Sequence, residues 1–484
     1  MDPDRRDATG DLSNTSSSAA PRDSGAEPTH HGAVVLVSGA AALGGFLFGY
    51  DTAIINGTVD AIEAEFHMSA GLLGFVVSSA LLGCAVGAWF AGPLADRVGR
   101  VRVMLIAAAL FAVSAIGSGL AVGPVSLAVW RIVGGLAIGT ASVIAPAYIA
   151  EMSPAGLRGR LGSLQQLAIV LGIFISLLVD YALARVAGGA AEPVPWGGAA
   201  WRWMFVSAAI PAVVYGVLAL QIPESPRFLV KQRHLDQARR VLARFVGGNV
   251  DARLREISRS LAGGEQKVHL SELRGPRFGL LPIVWVGILL SVFQQFVGIN
   301  VIFYYSTTLW RAVGFSESDA LLTSVITSIT NIVTTLVAIA LIDRIGRKPL
   351  LVIGASGMVV TLGVLAWCFS TATGSGASLT LDPTVGKIAL VAANLYVVAF
   401  GMSWGPVVWV LLGEMFNNRI RATALAVAAA AQWVANWLVS TSFPVLADLG
   451  LTFAYGLYTL FAALALIFVL RAVRETKGRE LEEM

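Results

Sequence analysis

Twelve apolar stretches, each about long enough to cross a bilayer as a helix, leave this chain almost no choice of fold. They run over 33–50, 69–95, 103–130, 132–150, 161–179, 203–223, 278–310, 320–342, 349–381, 388–413, 422–447 and 449–470. A hydrocarbon core takes roughly 20 apolar residues in helical form. Inside it every backbone N–H and C=O must be paired within the chain, which a helix does by itself. The composition agrees: 56% of the residues are hydrophobic, 13% are charged, and the mean hydropathy is +0.74. That excludes an ordinary soluble globule. The reading is an all-α polytopic membrane protein.

The stretches fall into two sets of six, and the charges between them repeat. Gly92-Pro-Leu-Ala-Asp96-Arg97-Val-Gly99-Arg100 in the first half has a near-copy in Leu341-Ile-Asp343-Arg344-Ile-Gly346-Arg347-Lys348. Glu151-Met152, with Arg158 seven residues on, is matched by Glu414-Met415 and Arg421. Two parallel halves carrying the same charged loop in the same order are the plan of a carrier that rocks around a central site. The Asp-Arg-x-Gly-Arg loops place carboxylate and guanidinium at the ends of the second and eighth spans. Glu151 and Glu414 end the fourth and tenth, within reach of Arg100 and Arg347. Such pairs are expected to latch helix ends in one state and to part in the other; the plainer reading is charge that only sets topology.

The domain boundaries follow. Residues 1–31 are polar and carry no apolar run, and read as a disordered tail. A six-helix bundle occupies 32–223 and a second 278–473, with a polar end at 474–484. The segment 224–277 holds twelve Lys/Arg against six Asp/Glu. In it Leu235, Ala238, Leu242 and Phe245 recur at helical spacing, as do Leu254, Ile257 and Leu261, so short amphipathic helices are expected. The net charge of +4 sits in alternate short loops, at Arg97, Arg100, Arg102, Arg158, Arg160, Arg344, Arg347, Lys348, Arg419 and Arg421. The intervening loops carry Asp60, Glu63, Glu65, Glu317, Asp319 and Asp448. This is the positive-inside pattern, which places the first set of loops and both termini in the cytoplasm. The basic charge therefore records topology and gives no reason to expect nucleic acid. Cys84 and Cys368 lie in apolar spans, no metal-ligand spacing occurs, and the five histidines fall outside the spans.

Two sets of polar residues interrupt the apolar runs. Asp51 follows Gly49-Tyr50 at the end of the first, and Arg131 is the other charge flanked by apolar sequence at comparable depth. An intramembrane carboxylate is costly unless paired, hydrated or neutral, and usually marks an ion path. Beside an arginine it can change protonation when the arginine moves, as proton coupling requires; a fixed ion pair is the alternative. The second set is amides: Gln165, Gln166, Gln294, Gln295, Asn300, Asn331, Gln432 and Asn436, with Trp409 and Trp433 nearby. Amides both donate and accept, matching sugar hydroxyls, and indole faces pack on the C–H surface of a sugar ring. Hydrogen bonding between helices explains any single amide equally well; the clustering favours a ligand. Gln294 and Gln295 face away from Asn300 on an unbroken helix, and Gly298 between them offers a point of unwinding.

On these residues the sequence resembles the sugar porters of the major facilitator superfamily. The matching motifs are Gly49-Tyr50-Asp51, Asp96-Arg97-Val-Gly99-Arg100, Pro146-Ala-Tyr148-Ile-Ala-Glu151, Pro223-Glu224-Ser225-Pro226-Arg227, Gln294-Gln295-Phe-Val-Gly298-Ile-Asn300, Asp343-Arg344-Ile-Gly346-Arg347-Lys348, Gly405-Pro406-Val-Val-Trp409 and Glu475-Thr476-Lys477-Gly478. The likeness is to bacterial proton-coupled glucose and xylose permeases. It implies two six-helix bundles with an intracellular helical segment between them. It implies sugar contacts at Phe48, Gln166, Gln294, Gln295, Asn300, Asn331, Trp409, Gln432, Trp433 and Asn436, an outer gate at Tyr304 and Tyr305, and proton coupling at Asp51 with Arg131. The gating loops are those of Asp96, Arg97, Arg100, Glu151, Arg158, Asp343, Arg344, Arg347, Glu414 and Arg421. Val101 replaces the family's second basic residue after Arg100, and Arg474 stands where the tail motif usually has proline. Ile173 stands where some xylose porters have glutamine, which removes a polar contact and points to glucose.

The expected function is proton-coupled symport of a monosaccharide, D-glucose first, across the cell membrane, by a multi-pass protein working as a monomer in the lipid bilayer and without cofactor. A facilitative uniporter is the first alternative, opposed by Asp51. A sugar-sensing receptor is the second, and would be expected to carry a long signalling tail. No nucleophile–base pair or metal set supports an enzyme.

Overall fold

The computed structural model describes residues 31–153, 158–246, 249–262, 273–275, 279–312, 314–373, 380–416 and 420–476. The side chains of Arg158, Asp343 and Arg421 lie outside that description, as do all but the last residue of the expected N-terminal tail and all but the first three of the C-terminal one.

The first half is built from α1 (His31–Phe66), α2 (Ala70–Val98), α3 (Arg100–Gly119), α4 (Pro124–Met152), α5 (Arg158–Ala187), α6 (Ala200–Ser207) and α7 (Ala209–Gln221). Three short helices follow: α8 (Pro226–Lys231), α9 (Leu235–Val241) and α10 (Val250–Ala262). The second half holds α11 (Pro282–Phe296), α12 (Ile299–Ala312), α13 (Glu317–Ile345), α14 (Arg347–Ser370), α15 (Pro383–Gly401), α16 (Trp404–Met415), α17 (Arg421–Leu449) and α18 (Leu451–Ala472). With α6–α7, α11–α12 and α15–α16 each forming one crossing, twelve helices are long and apolar enough to span a membrane. Large apolar side chains such as Trp89, Phe90, Val213 and Ile353 point outward, as lipid as solvent requires. The short helices α8–α10 bury Leu229, Ala238, Leu242 and Leu254 in a small core of their own.

Several spans outrun the apolar stretches that suggested them. The first continues past Asp51 to Phe66, the fourth begins at Pro124 and so encloses Arg131, and the fifth runs to Ala187; the ninth stops at Ser370. A charge ends an apolar run without ending the helix, and Asp51 and Arg131 pair with each other inside the protein.

Small residues let the helices of the first half approach closely. A Cβ on Gly135 would lie 1.9 Å from the Ala80 carbonyl of α2, and one on Gly49 would lie 1.9 Å from the Ile169 carbonyl of α5. Backbone contact of this kind drives association where lipid removes the hydrophobic incentive. The halves meet through α1 with α12, α2 with α17, and α5 with α13.

Candidate functional site

The close packing at Gly49 presses α1 on α5 and leaves the next residues, Tyr50 and Asp51, fixed in depth. Tyr50 is buried and its hydroxyl shares a hydrogen bond with Ser207 Oγ at 2.8 Å. Asp51 turns toward α4, where Arg131 Nη1 donates to Asp51 Oδ1 at 2.9 Å. Arg131 Nη2 donates to the Val77 carbonyl at 3.2 Å. The Arg131 side chain is 3% exposed and that of Asp51 15%. The guanidinium is thus sealed in the bundle while the carboxylate keeps an opening. Among the described residues Arg131 Nε has no partner, so the pair is held by one strong contact rather than a two-pronged fork. Tyr304 of the opposite half lies beside this pair, its hydroxyl on Thr52.

In the second half the helix breaks where Gly298 suggested. Its φ of +84° ends α11 and lets α12 start afresh. The freed Val297 carbonyl accepts from the Tyr396 hydroxyl at 2.7 Å. The break turns Asn300 back onto the double glutamine: Asn300 Nδ2 donates to Gln295 Oε1 at 2.6 Å, and Gln295 Nε2 to Gln294 Oε1 at 3.3 Å. Gln294 Nε2 in turn donates to the Trp404 carbonyl at 2.8 Å, at the second break, between α15 and α16. Three of the expected sugar contacts therefore form one chain of amides that joins two broken helices. Phe48 and Trp433 meet edge to face across the two halves, centroids 5.7 Å apart. Asn436 accepts from Ser440, and Gln432 Oε1 is buried without a partner among the described residues. Asn331 is buried on α13 beside Gly401. Trp409 is 43% exposed on α16 and Gln166 half-buried on α5, each apart from the amide chain.

Among the described residues, polar contacts between the halves gather at the end opposite the arginine loops. Asn56 Nδ2 donates to Ser306 Oγ at 2.7 Å and its Oδ1 accepts from the Thr307 amide at 2.9 Å. Asp60 accepts from Thr308 and Arg311, both at 2.6 Å. Ser78 and Thr441 hydroxyls lie 2.6 Å apart, and Glu317 accepts from the Ala190 amide at 2.6 Å. Tyr305 is buried nearby, its hydroxyl donating to the Ser440 carbonyl.

At the arginine end each half repeats one construction. Arg100 Nη2 donates to Glu151 at 3.1 Å, and Arg347 grips Glu414 with Nε at 3.0 Å and Nη2 at 2.7 Å. Asp96 pairs with Arg100 at 2.9 Å and with Lys231 at 3.6 Å. Arg97 and Arg344 are exposed. These pairs lie inside each half, and both stand in a form whose opposite end is the joined one. They tie α3 to α4 and α14 to α16.

A model of the family described as "Sugar (and other) transporter" matches residues 37–484. The chain belongs to that family. It is 57% identical to the glucose transport protein of Synechocystis over 93% of this chain and 97% of that one. It is 40% identical to the D-xylose-proton symporter of Escherichia coli K12, over 92% and 93%. Among solved structures, the partially occluded inward-open form of the E. coli xylose transporter XylE superposes with a TM-score of 0.79 at 37% identity, over 92% of this chain and 99% of that one. The all-helical, twelve-span architecture is that of the major facilitator superfamily.

Two further carboxylates of the family motifs hold the arginine loops in place. Glu224 accepts from the Arg100 and Val101 amides at 2.9 and 3.2 Å; Glu475 accepts from those of Arg347 and Lys348 at 3.0 and 2.9 Å. Each carboxylate caps a helix N-terminus, where the free amides and the helix dipole favour an anion. Gly99 (φ +100°) and Gly346 (φ +102°) admit them, for a Cβ there would strike the carboxylate. The neighbouring hydroxyls, Ser225 and Thr476, donate to Glu151 and Glu414. The signal was present as a Glu-Ser and a Glu-Thr, each following the sixth span of its half. Asp180, within the fifth span, was missed for another reason: the apolar stretch stopped one residue short of it.

Proposed function

We propose that this protein is a proton–monosaccharide symporter of the cell membrane, with D-glucose as its sugar, working by alternating access. The observation that carries the reading is the Asp51–Arg131 pair: a sealed guanidinium bound through one contact to a carboxylate that keeps an opening. When Asp51 takes a proton, the charge–charge attraction to Arg131 is lost, so protonation and helix position are linked. Sugar hydroxyls are received by Gln166, Gln294, Gln295, Asn300, Asn331, Gln432 and Asn436, and the ring by Phe48, Trp409 and Trp433. Ile173 is buried and apolar, which fits a hexose site lacking one amide. The relatives named for glucose and for D-xylose–proton symport support sugar and proton as the two cargoes. In this reading the arginine loops and both termini face the cytoplasm, the joined end with Tyr304 and Tyr305 faces outward, and the form described is inward-facing. One chain holds a complete site, which fits function as a monomer.

Uptake of labelled D-glucose by proteoliposomes, with and without an imposed inward proton gradient, tests this. Accumulation above the external concentration only with the gradient is expected. Equilibration at the same rate in both conditions would leave a facilitative carrier.

A further inference from the structure

Asp180 is a carboxyl group enclosed in the membrane region and used by none of the above. It is 0% exposed, and neither of its oxygens has a hydrogen-bond partner among the described residues. It presses against Gly57 of α1: a Cβ there would lie 2.7 Å from both Asp180 Cβ and Oδ2. The Gly57 amide lies close by but outside hydrogen-bonding geometry. One turn earlier on α5, Ser176 Oγ is likewise buried and unpaired.

The surrounding cations are already committed. On α4, Arg131 holds Asp51; on α6, Arg202 holds Glu65 at 2.6 Å; on α12, Arg311 holds Asp60. Arg185 of α5 itself donates to Tyr181. The remaining titratable groups facing this stretch are Tyr50 on α1, engaged with Ser207, and Glu317 on α13, engaged with the Ala190 amide. An ionised carboxylate here would be buried without counter-charge or donor, the costliest arrangement a side chain can take. The neutral acid is the form that fits.

Its position ties it to the movement of the halves. Asp180 follows Gln166 by fourteen residues, four turns along one face of α5, at about 100° per residue. It therefore lies on the face that carries a sugar contact, further toward the joined end. Gly57, against which it packs, also lines a cavity of about 210 Å³ with Thr307, Arg311 and Glu317 of the second half. The cavity already meets solvent at Ala64, Ala191 and Arg311, and Gly57 both lines it and packs on Asp180, so separating the halves at that end would bring its water up to Asp180.

We propose that Asp180 is a second proton-binding site: it is protonated when the two halves close over it, and releases that proton to the outer solution when they part. This rests on the alternating-access reading above, and adds a proton step that does not pass through Asp51. The sign follows from linkage. Closure buries the neutral acid, so protons favour closure. Above about pH 4, where an exposed aspartate begins to ionise, the closed-to-open ratio should fall by up to tenfold per pH unit.

The test reads the distance between spin labels at the outer ends of α1 and α13 in the full-length protein, in the Asp51→Asn background so that the first carboxyl is silent. The expected result is a pH-dependent shift, closed in acid and open in base, that disappears in Asp51→Asn/Asp180→Asn. Asp180→Ser serves if the asparagine variant is not recovered folded. Infrared difference spectra in H₂O and D₂O should lose one protonated-carboxyl band with either substitution. A pH response that survives both Asp180 variants, or its absence in Asp51→Asn alone, overturns the proposal. A distance that answers to neither pH nor added D-glucose would instead sink the alternating-access reading beneath it.

Discussion

The two halves agree at one end of the molecule and differ in its middle. At the arginine end they are almost interchangeable: Arg100, Glu151, Glu224 and Ser225 in one, Arg347, Glu414, Glu475 and Thr476 in the other, with matching bonds. In the middle, α1 and α4 run unbroken through 36 and 29 residues, while their counterparts break into α11–α12 and α15–α16. The unbroken pair holds Asp51 and Arg131. The broken pair holds the Gln294–Gln295–Asn300 chain and Trp409. An intact helix satisfies its own backbone and can give its side chains to an ion pair. A broken one frees backbone groups and turns amides inward, which suits a ligand rich in hydroxyls. In the proposed reading the first half carries the proton and the second carries most of the contacts to the sugar.

The largest effect should come from breaking that division on the proton side. Asp51→Asn keeps size and hydrogen bonding but carries no proton. Gradient-driven accumulation should vanish, a loss of about fiftyfold at 100 mV, since moving one charge through that potential is worth about 2.3 kcal/mol. Counterflow exchange at equal sugar on both sides should persist. Accumulation retained in this variant would remove the proton from the first half.

The sugar side is probed by truncating amides in both halves. Gln294→Ala and Gln295→Ala should each weaken sugar binding by about 1–3 kcal/mol, because a buried hydroxyl and the rest of the amide chain lose a partner. Gln166→Ala, standing apart from the chain, should cost less in the same titration. Equal losses for all three would mean the sugar is shared evenly between the halves.

Gly298→Ala addresses the break itself. Alanine must hold φ near +84° with its Cβ 2.9 Å from the Tyr458 ring, costing about 1–3 kcal/mol. A lower thermal midpoint is expected, relieved by bound sugar. No change in midpoint would show that the helix can close up without harm.

The smallest effect tests the agreement of the two ends. Glu224→Gln and Glu475→Gln each remove the charge from one helix cap, and each should destabilise by about 1 kcal/mol. Cysteine accessibility at the arginine end should change alike in both. A large effect in one alone would show that the resemblance between the caps is only geometric.

The fold was legible because lipid allows so few solutions: apolar length fixed the spans, and duplicated charge fixed the two halves. The ionic and amide residues were legible as exceptions to apolar sequence. Gly298 was legible because a positive φ costs glycine nothing. What escaped were the contacts that join distant parts of the chain. Asp180 escaped because a span was ended at its first charge. The link between Glu224 and the Arg100 amide crosses 124 residues, and no local pattern announces it. The Asn56–Ser306 and Asp60–Arg311 bonds cross about twice that distance, and depend on how the halves lean together.

Those two long links also set an order of assembly. Glu224 returns to the start of α3 just after the sixth span, and Glu475 returns to the start of α14 just after the twelfth. In each half a stretch of about 125 residues, from the third span to the end of the sixth, is thereby closed into a ring. Glu224 leaves the ribosome before the second half is made, so every residue of the first clasp is present while that half is still to come. The second waits for the residues that follow the final helix. A chain cut short before Glu475 would leave the later ring open.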